Sequence, residues 1–305
     1  FIRLRLLAML LCLPFLLIFI SGCGSSSQKK DEPPVYSPLQ VLVPEATGKE
    51  TIGSSPMILD VSNISQGYFI AQSDSSDLTC SLQIISPSGV LYSYFIAPGE
   101  SATVTFTEGS GDYTITGYQQ VQGDQYAALY SETVTVQLEN DFLPFLYPNQ
   151  YVNFTPDSKA SQLALSLIDE DTVDVDALQQ IYDYVVSNLT YDYEKADTVT
   201  TGYLPDVDET LKTGTGICFD YAALTTAMLR SCDIPCKLQI GYAGDIKHAW
   251  IDVYIRSKGW VNQAVSFKGD TWTLMDPTFD SNSDDKEAIQ DYIGDESNYT
   301  VQFTR

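Results

Sequence analysis

Basic residues and histidine are what this chain has least of. Sixteen Lys and Arg stand against 40 Asp and Glu over 305 residues, for a formal net charge of −24, and His248 is the only histidine. That balance excludes a nucleic-acid binder, which needs a basic footprint to neutralise phosphates. A single histidine excludes zinc sites built from two or more, and six cysteines over this length are too few for a disulfide scaffold. Between Lys49 and Lys159 there is no basic residue at all, while 12 acidic ones fall in the gap, so about half of the net charge belongs to one stretch. What is present in quantity is apolar: 44% hydrophobic residues and 12% aromatics suffice for a buried core, and the length suits about two domains.

The amino-terminal end reads as an export signal, residues 1–22. Arg3 and Arg5 precede an apolar run from Leu6 to Ile20, too short and wrongly flanked for an ordinary membrane-spanning helix. The run ends in Ile20-Ser21-Gly22-Cys23, which resembles a bacterial lipobox and implies cleavage before Cys23, with lipid carried on that residue. Loss of Arg3 and Arg5 leaves 40 acidic against 14 basic residues, a charge of −26. The expected location is the bacterial cell surface or the outer face of the membrane, reached through the lipid on Cys23, with residues 23–53, rich in Ser, Pro, Gly and charge, as a solvated tether. Export means oxidising surroundings. Of Cys80, Cys218, Cys232 and Cys236, the last two can pair or stay as buried thiols, and both possibilities stand open at the level of sequence.

Residues 54–141 carry short runs of β-branched and aromatic residues between turn signals. The spacing predicts seven strands, at Met57–Val61, Tyr68–Gln72, Cys80–Ile85, Val90–Ile96, Ala102–Phe106, Asp112–Tyr118 and Tyr126–Leu138. Such a count suggests an all-β, immunoglobulin-like sandwich. A Pro-punctuated linker, Phe142 to Pro148, opens the second domain, 142–305. There Leu178, Ile181, Tyr182, Val185, Val186 and Leu189 fall at helical spacing, followed by a polar loop from Asp192 to Thr215, a helix from Gly216 to about Ser231, and strand-like runs at Lys237–Tyr242, His248–Ile255, Trp260–Asn262 and Trp272–Met275. This is an α+β arrangement, helices first and antiparallel sheet after.

A nucleophilic thiol needs a base to take its proton and a third group to orient that base. Cys218 sits where a Gly-bearing loop becomes a helix, a place where free backbone N–H groups and the helix dipole are expected to lower a thiol pKa and to hold an oxyanion. His248 lies at the start of a predicted strand, and Asp276 follows another. Gly216-Ile217-Cys218 with Asp220-Tyr221-Ala222 and Arg230, then Pro235, Gly241-Tyr242, His248-Ala249-Trp250, Gly259-Trp260 and Asp276-Pro277-Thr278, resembles the core of the transglutaminase-like superfamily over about residues 175–280. Tyr191-Asp192-Tyr193 fits its upstream segment. The resemblance implies a papain-like fold with Cys218 as nucleophile, His248 as general base and acid, and Asp276 as the group that orients the imidazole. Trp250 and Trp260 read as core or cleft wall.

The implied activity is acyl transfer from peptide or side-chain amides through a thioester, with no cofactor and no metal. Water as acceptor makes a cysteine peptidase or amidase, the outcome favoured by analogy with bacterial members; a lysine amine makes a protein-glutamine cross-linker. A surface binding or adhesion lipoprotein with an inert catalytic domain is the reading from another class. Expected partners are a protein or peptide substrate and, through Cys23, a membrane. The acidic surface leads one to expect basic or neutral substrates.

Overall fold

The computed structural model describes residues 31–268, 271–274 and 299–305, with the backbone alone over 263–268 and 271–274. The expected signal segment, Cys23 and Asp276 lie outside the described residues.

The strand-rich amino-terminal half forms two four-stranded antiparallel sheets. Its strands are β1 (Thr51–Ser54), β2 (Met57–Asp60), β3 (Tyr68–Ser73), β4 (Cys80–Ile85), β5 (Leu91–Ile96), β6 (Ser101–Thr105), β7 (Gly111–Gln122) and β8 (Gln125–Val136). One sheet runs β1-β2-β3-β6 and the other β5-β4-β7-β8. The seven expected strands correspond to β2 through β8; β1, a short polar segment, carries no strand pattern of its own and pairs as a hairpin with β2. Alternate residues of both sheets, among them Leu59, Phe69, Leu82, Ile84, Tyr94, Val104 and Ile115, meet in one core. β3 departs from alternation, because Tyr68 through Ala71 are all buried. Phe69 and Ala71 face the common core, while Tyr68 and Ile70 are covered on the other side by Leu42, Leu143, Leu146 and Tyr147.

That cover consists of segments the composition marked as tether and linker. From Asp31 onward the expected tether is laid on the folded body. Val41 joins the core of the second half and Leu42 the cluster over β3, while the Tyr36 N–H donates to Asp233 (3.2 Å) and Asn140 Nδ2 to the Glu32 carbonyl (2.7 Å). A few apolar residues in a polar stretch are enough to dock it once a matching face exists.

The second half holds α1 (Lys159–Leu167), α2 (Asp174–Asn188), β9 (Thr190–Tyr191), α3 (Tyr193–Thr198), α4 (Val207–Thr213), β10 (Thr215–Gly216), α5 (Cys218–Ser231), β11 (Cys236–Ala243), β12 (Ile246–Ile255), β13 (Gly259–Lys268), β14 (Thr271–Leu274) and β15 (Tyr299–Thr304). The last five make an antiparallel sheet in the order β14-β13-β12-β11-β15. Helix α5 is buried from Asp220 to Ser231, almost on every side, and packs with α1, α2, α4 and the inner face of β11 and β12 in the largest core cluster. The molecule is thus mixed α and β, a strand-rich half followed by helices and a sheet. The expected polar loop contains α3 and α4. Asp192 caps the first by accepting from the Lys195 N–H (2.8 Å), and Asp206 caps the second by accepting from Asp208 and Glu209 (3.1 and 2.9 Å).

Candidate active site

Cys218 occupies the first position of α5. Two residues before it, β10 pairs in parallel with β9, which sets Gly216 beside Tyr191. The turn into the helix is held by Asp220, whose carboxylate accepts from the Ile217 N–H (2.8 Å), from Lys195 Nζ (2.7 Å) and from the Tyr203 hydroxyl. Lys195 in turn donates to Tyr203 (2.7 Å). Gly216 leaves room for this: a Cβ there would lie 2.7 Å from the Asp220 Cβ. Thus one buried carboxylate joins the helix start to the segment that contains Lys195 and Tyr203.

His248 stands on β12 opposite Gly241 of β11. Its neighbour Ala249 gives a backbone hydrogen bond to the Cys218 thiol, so β12 meets the start of α5 at these two residues. The His248 ring lies 6.2 Å from that of Trp250, nearly parallel to it. Cys218 and His248 line one cleft of about 460 Å³, together with Tyr191, Phe219, Ala249 and the stretch from Val199 to Leu204. Neither Trp250 nor Trp260 lines it; Trp250 is buried, and Trp260 packs with Phe142, Phe145 and Tyr254 under the Lys237 ammonium. Asp276, the third expected member, lies outside the described residues.

The electrostatics differ from the expectation for the thiol. Burial pushes the Cys218 thiol above its ordinary range, against hydrogen bonds from the Ala249, Phe219 and Cys218 backbones that pull it down. Desolvation of a thiolate outweighs the helix terminus here. Burial lowers His248 to about 4. Both shifts favour the uncharged forms at pH 7, a neutral thiol beside a neutral imidazole. Cys80, Cys232 and Cys236 are buried free thiols, the last two pushed by burial to about 12, which leaves Cys218 as the partly accessible one of the four. Cys232 and Cys236 are not joined.

Two sets of residues received no site role from sequence. Tyr191 lines the cleft, and the charge of a Cys218 thiolate would act on its phenol, which burial has already raised to about 12. Leu91, Ser93 and Phe95 of β5 form another wall, so the strand-rich half shares in the site. The alternation along β5 is visible in sequence, with Tyr92, Tyr94 and Ile96 buried between them. Which face would meet the second half is not.

Residues 161–277 match the family model of the transglutaminase-like superfamily. This segment is a transglutaminase-like core. It spans Cys218, His248 and Asp276. Among solved structures, the chain is similar to a candidate cysteine protease of Cytophaga hutchinsonii, at 17% identity over 84% of each chain with a TM-score of 0.36. A candidate protease of Parabacteroides distasonis shows 14% identity over 61% of this chain and 38% of its own, with a TM-score of 0.29. Red sea bream transglutaminase shows 15% identity over 69% and 48%, with a TM-score of 0.24. No curated protein matches the chain. The transglutaminase-like core thus supplies Cys218 and His248, and the preceding half contributes one wall of their cleft.

Proposed function

We propose that this chain is an exported cysteine acyl-transfer enzyme with Cys218 as nucleophile, His248 as general base and acid, and Asp276 orienting the imidazole. The observation that carries this is the meeting of Cys218 and His248 in one cleft, with the Ala249 N–H on the sulfur. His248 takes the thiol proton as Sγ attacks the amide carbon. The C–N bond then breaks, the same proton leaves on the amine, and a thioester remains on Cys218. Water, deprotonated by His248, attacks the thioester, releases the carboxylic acid and restores the thiol. Backbone N–H groups at the start of α5 and the Tyr191 hydroxyl are the groups we assign to the oxyanion.

We favour water over a lysine amine as acceptor, hence a peptidase or amidase rather than a cross-linker. Among the described residues, the charged side chains that line the cleft are Lys247 and Arg305, which opposes entry of an ammonium group. We further place the chain at a bacterial surface, anchored by lipid on Cys23, and take the strand-rich half as an immunoglobulin-like sandwich, for which its order of strands in two sheets speaks.

Incubation with a glutamine-containing peptide and a labelled amine tests the activity. Release of ammonia or cleavage without amine incorporation is the expected outcome, abolished in Cys218→Ala and reduced by about 10²–10⁴-fold in His248→Ala. Incorporated amine would establish the cross-linker, and absence of any covalent adduct at Cys218 would leave a binding protein.

A further inference from the structure

The described lining of the cleft carries cations in an otherwise strongly acidic molecule. In a chain of net charge −24, the charged residues that line it among the described residues are Lys247 and Arg305. Arg305 is 3% exposed, yet it has no ion pair among the described residues. Its guanidinium carbon lies 4.1 Å from the ring centre of Tyr151, 4.6 Å from Tyr92, 4.9 Å from Tyr94 and 5.3 Å from Phe303. Of its five N–H donors, Nη1 bonds the Tyr94 hydroxyl (2.9 Å), and Nε is buried without an acceptor. Glu108, which shares Tyr92 with this network, accepts from the Tyr92 hydroxyl (2.5 Å) and forms no ion pair with the guanidinium among the described residues. A desolvated cation with unused donors is costly unless an anion completes it.

The position is also rigid. The Arg305 carbonyl accepts from the Leu238 N–H (3.0 Å) and from Arg230 Nη2 (2.8 Å), and its N–H donates to the Leu238 carbonyl (2.8 Å). From there Tyr151 leads to the nucleophile: its ring is 6.3 Å from that of Phe219, the residue after Cys218. We infer that Arg305 reads a carboxylate on the substrate, set close to the amide that Cys218 attacks, so that the enzyme selects acidic peptides. This rests on Cys218 being the nucleophile of the cleft. The carboxylate can belong to an Asp or Glu side chain or to a chain terminus. Aromatic rings and a buried setting make one such guanidinium–carboxylate contact strong enough for discrimination of about tenfold or more.

The test uses the full chain and four iodoacetyl dipeptide probes: Ala-Glu amide, Ala-Gln amide, Ala-Lys amide and Ala-Gln with a free carboxyl end. Alkylation at Cys218 is followed by peptide mapping, and each rate is divided by that of the same probe with glutathione. The Glu probe or the free-carboxyl probe is expected to react about tenfold faster than Ala-Gln amide, the faster of the two naming the source of the carboxylate, with Ala-Lys amide slowest. Arg305→Gln should bring the favoured probe down to the rate of Ala-Gln amide, whereas Lys247→Gln keeps most of the ratio. If Arg305→Gln does not fold, Lys247→Gln decides: a retained ratio supports Arg305, and a lost one overturns it. Equal rates for acidic and neutral probes would overturn the inference while leaving Cys218 as the nucleophile; failure of every probe to label Cys218 would remove both.

Discussion

Cys218 and His248 show how far burial can reverse what local sequence suggests. A thiol at the first position of a helix is expected to be acidic, yet desolvation raises it, and the same loss of water lowers the imidazole to about 4. For the histidine the sign follows directly. The unfolded chain takes up a proton near 6.5 and the folded one near 4, so the stability associated with His248 is complete above about 6.5 and is lost as pH falls through that window. Asp233 opposes it: burial raises its carboxyl to about 7, so folding is favoured by its proton and that contribution is lost as pH rises toward 7. A melting curve against pH would mix the two. NMR would not, because the chain has one histidine and hence one imidazole signal set. That signal is expected to stay in its neutral position to below pH 5, and turnover should keep its base down to the same point; a midpoint at 6.5 would mean that solvent or the carboxylate assigned to orient the ring outweighs burial.

Among the elements, the start of α5 depends on Asp220. The aliphatic face of α5 and the Gly-Ile-Cys turn are legible in sequence, and so is an acidic residue two positions after the cysteine. That its carboxylate would reach back to Ile217 and across to Lys195 and Tyr203 is not, since those partners come from a segment with little apolar periodicity. The same segment hides α3 and α4, which are short, exposed on much of their surface and marked only by their capping Asp residues. Replacement of Asp220 by Ala strands the Lys195 ammonium and frees the helix start, at a cost on the order of 3 kcal/mol in urea unfolding. Hydrogen exchange across residues 199–204 should rise at the same time, because that wall of the cleft is tied to α5 through Tyr203. Unchanged exchange there would show that the wall is held by other contacts.

For the molecule as a whole, Arg230 joins pieces that sequence keeps far apart. Buried completely, it donates to the carbonyls of Cys236 (3.0 Å from Nε, 2.8 Å from Nη2), Tyr147 (2.7 Å) and Arg305 (2.8 Å), and so links α5, β11, the segment between the two halves and the end of β15. Burial lowers its pKa to about 10, still far above neutrality, and the charge is spent on backbone oxygens. Arg230→Met keeps the apolar stem but leaves three buried carbonyls short of a donor; a loss of about 3 kcal/mol or more is expected in urea unfolding, and a midpoint equal to wild type would refute the bracing role.

By itself the sequence determined the strand spacing of the first half, the amphipathic and buried helices of the second, and the order of cysteine, histidine and aspartate with their flanking motifs. Those are local patterns, and local patterns survive in a linear reading. Only the tertiary structure decided that residues 31–53 dock, that β5 lends Leu91, Ser93 and Phe95 to the cleft, and that burial raises the thiol and lowers the imidazole. It also decided where the few cations go. Counting basic residues said that the protein is acidic; packing placed Lys247 and Arg305 at the one concavity with the candidate nucleophile, because charge and desolvation act through space and not along the chain.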